Sequence, residues 1–124
     1  MQKRPSDFVK INYLDRDYVL AQIRDQVRKL FRKNGNIVRV LFFSSLVRED
    51  YGPGSDADLL IVLKSDCRRM IDRIPEFLQA FSKVPVAIDV LPMTEKELEG
   101  RLNANDLHVK HILKVGLILQ SRDK

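Results

Sequence analysis

Three aspartates in apolar surroundings are the residues of this chain best suited to chemistry. Asp56 and Asp58 open the run "DADLLIVL" one residue apart, and Asp89 lies inside "VAIDVL". Side chains two apart on a strand share one face, so Asp56 and Asp58 are expected to project together. If the strand that carries Asp89 lies beside theirs, the three carboxylates can converge. Such a set predicts a Mg²⁺ site, because Mg²⁺ prefers oxygen ligands and shares its shell with substrate phosphates.

Two of these aspartates also have a structural interpretation. Asp56 could belong only to the Gly-Ser-Asp turn, and Asp89 could form an ion pair with an arginine. An aspartate within a strand needs some partner, because an unpaired carboxylate in apolar surroundings is costly. Two magnesium ions about 4 Å apart would be such a partner, and they can hold both the attacking and the leaving oxygen of a phosphoryl displacement.

A pair of serines, Ser44 and Ser45, directly follows the apolar run "IVRVLFF". Backbone N–H groups where a strand turns toward a helix, together with a serine hydroxyl, can hold triphosphate oxygens. Two serines after a strand are equally typical of a helix cap. The serine pair therefore indicates a phosphate site only in combination with the aspartates.

The apolar periodicity predicts the elements that must position these residues. Their alternation predicts an α/β fold, with a mixed β-sheet and helices packed on it, in a single domain spanning residues 1–124. Helices are predicted over residues 15–33, 44–50, 65–82 (kinked or divided at Pro75), from Thr94 onward and over 106–114, and strands over 37–43, 57–63, 86–91 and 117–120.

The composition is that of a globular protein, with 44% hydrophobic and 31% charged residues. Lys and Arg number 22 against 17 Asp and Glu, a net charge of +5 that suits a polyphosphate, a nucleic acid or an acidic protein. No basic run of the kind found in nucleic-acid arms supports the second of these. The single cysteine, Cys67, fits a reducing cytoplasm. No membrane association is expected, because no run approaches the roughly 18 apolar residues of a membrane span.

In combination, these features resemble the nucleotidyltransferase superfamily related to DNA polymerase beta, and specifically its minimal single-domain members. The signature of that family is Gly-Ser, a spacer, Asp-x-Asp and a third Asp on a neighbouring strand. Here Ser45 is followed by ten residues, then "DAD" at 56–58, then Asp89. Arg48 and Ser55-Asp56 match further parts of the pattern of the minimal members. The resemblance covers roughly residues 15–119.

The resemblance implies a mixed-sheet nucleotidyltransferase core that transfers a nucleoside monophosphate, most simply AMP, from an NTP to a hydroxyl. It implies that Asp56, Asp58 and Asp89 are catalytic and bind Mg²⁺, with two ions expected. Asp89 would also help to deprotonate the acceptor hydroxyl. The residues that the resemblance implies for binding ATP or another NTP are Ser44, Ser45, Arg48, Asp56 and Asp58.

The minimal members of the family include antitoxins that bind a small HEPN-type ribonuclease toxin and can transfer AMP to it. A HEPN-type protein partner is therefore implied, and a homo-oligomer is left open. The chain departs from the signature at Ser44, which replaces glycine, at Leu46 and at Glu49. These departures favour an alternative, a catalytically weak or inactive module that neutralises its partner by complex formation. A transferase acting on tRNA or a small molecule is a third hypothesis, favoured only by the positive charge.

Overall fold

The computed structural model describes residues 16–43 and 57–122 of the chain. Within these ranges the structure contains four helices and four strands. In chain order they are α1 (Arg16–Lys33), β1 (Ile37–Phe43), β2 (Ala57–Leu63), α2 (Met70–Ala80), β3 (Ile88–Thr94), α3 (Glu95–Asn103), α4 (Leu107–Val115) and β4 (Leu117–Ser121).

The strands form one four-stranded sheet in the order β3-β2-β1-β4. β2 and β3 are parallel, whereas β1 runs antiparallel to both β2 and β4. The predicted α/β fold with a mixed sheet is thus confirmed. Because β1 runs against its neighbours, its last residue, Phe43, lies at the end of the sheet where β2 and β3 begin. We call this end, which contains Phe43, Asp58 and Asp89, the aspartate end.

One face of the sheet is covered by α1 and α2. The apolar residues of α1 recur at three-and-four spacing, which places Ile23 and Val27 inward, where both are fully buried. They pack with Phe77 of α2 and with Leu59 and Ile61 of β2. Burial of each such side chain contributes about 1.5 to 3 kcal/mol, so this cluster holds both helices against the sheet.

The other face is covered by α3 and α4. Leu60 and Val62 of β2 point to this side and pack with Met93 of β3, Leu98 of α3 and Ile112 of α4. β2 is therefore buried on both faces along its whole length, as its continuous apolar sequence predicts. Among the described residues, no helix has the length and apolar character needed to cross a bilayer.

The predicted start of the helix over residues 65–82 is wrong. α2 begins at Met70 rather than near Ser65, because the Asp66 carboxylate accepts the backbone N–H of Arg68 and stabilises a turn instead of a helix. Pro75 lies inside α2, so the helix is not divided there, and the predicted alternative of a kink stays a prediction. The prediction of a short helix over residues 44–50 lies outside the described residues.

β3 extends over Ile88–Thr94 rather than residues 86–91. It stays paired with β2 as far as Leu63 and Thr94, and it includes Pro92. A proline lacks the N–H that an inner strand would need, but β3 is an outer strand of the described sheet, so Pro92 fits there. Other predictions are confirmed: the capping box of Thr94 and Glu97, the helix α4 and the outer strand β4.

A buried arginine joins α2, β3 and α3 at the end of the sheet opposite the aspartates. Arg73 is 1% exposed, and its Nη1 and Nη2 donate to the two carboxylate oxygens of Glu97 at 2.7 and 2.9 Å. It also donates to the carbonyl oxygens of Pro92 and Asp66, each at 3.1 Å, and to that of Arg68. Arg73 holds the pKa of Glu97 down, at about 2. This side chain therefore fixes the position of α3 relative to the sheet.

Candidate functional site

Two of the three predicted aspartates are direct neighbours in the sheet. Asp58 of β2 and Asp89 of β3 are partners in the parallel register. Paired residues of adjacent strands project to the same face, and the strands are about 4.8 Å apart. The two carboxylates therefore lie side by side at the aspartate end, on the face that α3 and α4 cover.

The surroundings of the two aspartates differ. Asp58 is 7% exposed, whereas Asp89 is open to solvent. Leu60 and Leu91 follow them on the same face and pack into the core. The carboxylate pair therefore has apolar side chains on its core side and is open to solvent on the side of Asp89.

Phe43 and His108 form one side of the site. Phe43 is the partner of Asp58 in the antiparallel register of β1 and β2. The His108 ring packs edge-on against Phe43, with ring centroids 6.4 Å apart and an interplanar angle of 78°. His108 is placed there by Asp106, whose carboxylate caps α4 by accepting the backbone N–H of His108. The sequence did not single out Phe43, because only the strand register brings it beside Asp58.

The ion pairs of the described residues do not include Asp89. Across residues 16–43 and 57–122, no lysine, arginine or histidine lies within ion-pair distance of its carboxylate. The arginine partner considered from the sequence is therefore not found in this part of the chain. Two carboxylates side by side on one face repel each other, and a cation between them would relieve that repulsion.

The donor chemistry of this pair fits a hard divalent cation. Carboxylate oxygens are the ligands that Mg²⁺ uses, and it is bound through one or two carboxylates plus substrate phosphates. No cluster of three or more metal-ligating side chains occurs within the described ranges. The third predicted ligand, Asp56, lies outside them, immediately before Ala57, the first residue of β2.

The remaining predicted site residues, Ser44, Ser45 and Arg48, also lie outside the described residues. The ends of the strands nevertheless constrain where that segment is attached. The chain leaves β1 at Phe43 and enters β2 at Ala57, and both positions are at the aspartate end. Ser44 therefore follows a residue that is paired with Asp58.

Comparison with known proteins defines the class. The model of the nucleotidyltransferase domain family matches residues 20–121, and the chain therefore belongs to that family. A crystal structure from Sulfolobus solfataricus, assigned as a nucleotidyltransferase, has a similar fold, with a TM-score of 0.56 and 22% sequence identity. The similarity covers 100% of this chain and 95% of that chain. No curated protein matches the sequence.

Proposed function

We propose that this protein transfers a nucleoside monophosphate, with ATP as the first candidate donor, to a hydroxyl group. The observation that carries the proposal is the in-register pair of Asp58 and Asp89 at the aspartate end, in a chain of the nucleotidyltransferase domain family. The acceptor oxygen bonds to the α-phosphorus of the NTP. The bond from that phosphorus to the oxygen bridging to the β-phosphorus breaks, and pyrophosphate leaves.

In this proposal Asp58 and Asp89, together with Asp56, hold two Mg²⁺ ions. When bound, these ions would supply positive charge against the triphosphate and the departing pyrophosphate. Asp58 is buried and so keeps a fixed orientation, whereas Asp89 is exposed and can accept the proton of the acceptor hydroxyl. The resemblance assigns Ser44, Ser45 and Arg48 to the phosphates of the NTP.

We propose a protein acceptor, a HEPN-type toxin that this chain counteracts as an antitoxin in the cytoplasm. The described residues form one sheet with its helices, and Asp89 lies at the exposed end of that sheet. Because Asp89 is exposed, a folded partner could reach its carboxylate. The partner would then supply the acceptor side of the site.

The test uses ATP labelled at the α-phosphate, Mg²⁺ and the candidate partner, followed by measurement of label on each protein. Asp58→Asn and Asp89→Asn should each lower transfer by at least about 100-fold, because each removes charge stabilisation of the transition state. Asp72→Asn is the matched control, since Asp72 is an exposed aspartate in the first turn of α2 and pairs with Arg69. The Asp72→Asn variant should transfer label to the partner at the wild-type rate.

A second readout is independent of turnover. Mn²⁺ in place of Mg²⁺, followed by electron paramagnetic resonance, should bind the wild-type protein and the Asp72→Asn variant. It should bind neither Asp58→Asn nor Asp89→Asn. Equal Mn²⁺ binding by all four proteins would refute the assignment of the aspartates as ligands. Wild-type transfer by Asp58→Asn would refute their catalytic role.

A second candidate function is a binding module that neutralises the partner without chemistry. The observation that favours it is Ser44, which stands where the family signature has glycine. A Cβ at that position can crowd the phosphates or exclude a positive φ that glycine permits. This function predicts tight partner binding that Asp58→Asn leaves unchanged, with no label on any acceptor and no pyrophosphate. Label on the partner would eliminate it.

A further inference from the structure

A basic cavity lies between the end of α1 and β4, far from the aspartates. Its volume is about 540 Å³, and it is lined by Arg28, Phe31, Arg32, Gln120, Ser121 and Arg122. Ser121 pairs with Arg39, near the start of β1, whereas the aspartate end is at Phe43. The seven residues of β1 separate the two ends of the sheet by about 20 Å. The cavity is therefore a separate feature from the proposed nucleotide site.

Arg122 is fixed in this cavity by carbonyl groups. Its Nε donates to the Ile37 carbonyl oxygen at 2.8 Å, and its Nη2 donates to those of Phe31 and Asn34 at 3.0 and 3.2 Å. The guanidinium carbon lies 4.9 Å from the centroid of the Phe31 ring. These contacts stabilise the C-terminal end of α1, where a cation is favourable. They orient the guanidinium but supply no full negative charge to it.

Arg28 and Arg32 are one helical turn apart on α1 and are both exposed. Arg28 pairs with Asp25 at 3.4 Å, but both side chains are about half exposed, and such a pair contributes little. Arg32 forms no ion pair with any residue in the described ranges. Within residues 16–43 and 57–122, three guanidinium groups thus line one cavity, and the ion pair that their side chains form is the weak one between Arg28 and Asp25.

We propose that this cavity binds phosphate groups of a nucleic-acid backbone. Guanidinium groups match phosphate geometry through paired N–H donors, and Gln120 and Ser121 add neutral hydrogen-bonding groups. Arg24 continues the row one turn before Arg28, with about 6 Å between successive arginines, which favours an extended polyanion over a compact one.

This cavity is not expected to recognise a base. Phe31 is 5% exposed and lies under Arg122, so it offers no free ring for a base to stack on. Binding should therefore depend on charge and ionic strength rather than on nucleotide sequence. Because the cavity and the aspartates are at opposite ends of the sheet, Asp58→Asn should retain this binding even if it abolishes transfer.

The experiment measures fluorescence anisotropy of labelled single-stranded RNA and DNA of about 12 nucleotides, a typical site length for such binding. For the wild type, a plot of the logarithm of the association constant against the logarithm of the salt concentration should have a slope of about −2. Each of three phosphate contacts should contribute about −0.7 to this slope. The double variant Arg28→Glu/Arg32→Glu should bind at least about tenfold more weakly, with a shallower slope. Both side chains are exposed, so the fold should persist, and a thermal melt checks this.

The matched control is Lys96→Glu/Lys114→Glu, which makes the same change in net charge on α3 and α4, across the sheet from α1. It should keep most of the affinity. An equal loss in the control, or wild-type binding by the arginine variant, would overturn the proposal.

Competitors identify the kind of ligand. Inorganic triphosphate should displace RNA, whereas polyglutamate at equal charge should displace it less, because a carboxylate presents its two oxygens in one plane and a phosphate group is tetrahedral. Binding of inorganic triphosphate without binding of RNA or DNA would assign the cavity to small phosphate compounds instead. Equal displacement by polyglutamate would assign it to acidic proteins. Either outcome would refute a nucleic-acid site.

Discussion

Replacing Arg73 by methionine removes a buried, charged side chain that joins α2, β3 and α3, while it fills much of the same volume. The substitution leaves Glu97 without its cationic partner. It also removes the Arg73 hydrogen bonds to the carbonyl oxygens of Pro92, Asp66 and Arg68. Removing one partner of a buried ion pair costs about 3 to 5 kcal/mol. Glu97 is 41% exposed and can regain water, so we expect the lower end, about 3 kcal/mol.

The measurement is urea unfolding followed by circular dichroism at neutral pH. For a domain of this size, a loss of about 3 kcal/mol corresponds to a decrease of roughly 10 °C in the melting temperature. Arg69→Met is the matched control, because Arg69 is 80% exposed and, among the described residues, forms an ion pair only with Asp72. The control should change the free energy of unfolding by less than about 0.5 kcal/mol.

A double-mutant cycle separates the ion pair from packing. Adding Glu97→Gln to Arg73→Met should recover at least about 1 kcal/mol, because the uncompensated carboxylate is then gone. The reasoning would be refuted if Arg73→Met cost less than about 1 kcal/mol, or if it cost no more than Arg69→Met.

Further predictions concern pH and two glycines. The pKa of Glu97 is lowered to about 2 by Arg73, so its contribution is present above about pH 4.5 and is lost as the pH falls toward 2. The free energy of unfolding of the wild type, measured as a function of pH, should fall by about 1 to 2 kcal/mol over that range, a value that allows for solvent screening. The Glu97→Gln variant should not show this fall. Gly116→Ala should destabilise by about 1 to 3 kcal/mol, because its Cβ would lie 2.6 Å from the Ile112 carbonyl oxygen. Gly100→Ala, in open space on α3, should instead stabilise by about 0.5 to 1 kcal/mol in the same thermal melts. Equal effects of the two alanines would contradict the contact argument.

Local sequence pattern was sufficient for most elements because their burial is regular. β1 and β2 begin and end where the apolar runs predict. Asp106 caps the N-terminus of α4, and Gly116 follows its C-terminus. β3 was misjudged because proline normally ends a strand, and only the sheet order places Pro92 on an outer strand. Local rules are therefore weakest where tertiary position decides whether a residue is tolerated.

The candidate site was predictable in part. The apolar run after Asp58 indicates that this aspartate lies in a strand and needs a partner. That Asp58 lies beside Asp89 depends on the register of β2 and β3, which local sequence does not determine. The catalytic and metal-binding roles of both residues remain predictions. The burial of Arg73 and the cavity around Arg122 were not foreseen, since each depends on contacts between distant segments. An arginine on an amphipathic helix usually indicates an exposed position.

The pairing of β4 with β1 has a consequence for synthesis of the protein. Arg122 and its hydrogen-bond acceptor Ile37 are 85 residues apart in the chain. At about 5 to 20 residues per second, a ribosome needs roughly 4 to 17 s to make the residues between them. Until then the outer side of β1 is an unpaired strand edge that can join another nascent chain. Expression at low temperature or with added chaperones should therefore raise the soluble yield more than changes at the aspartate end do.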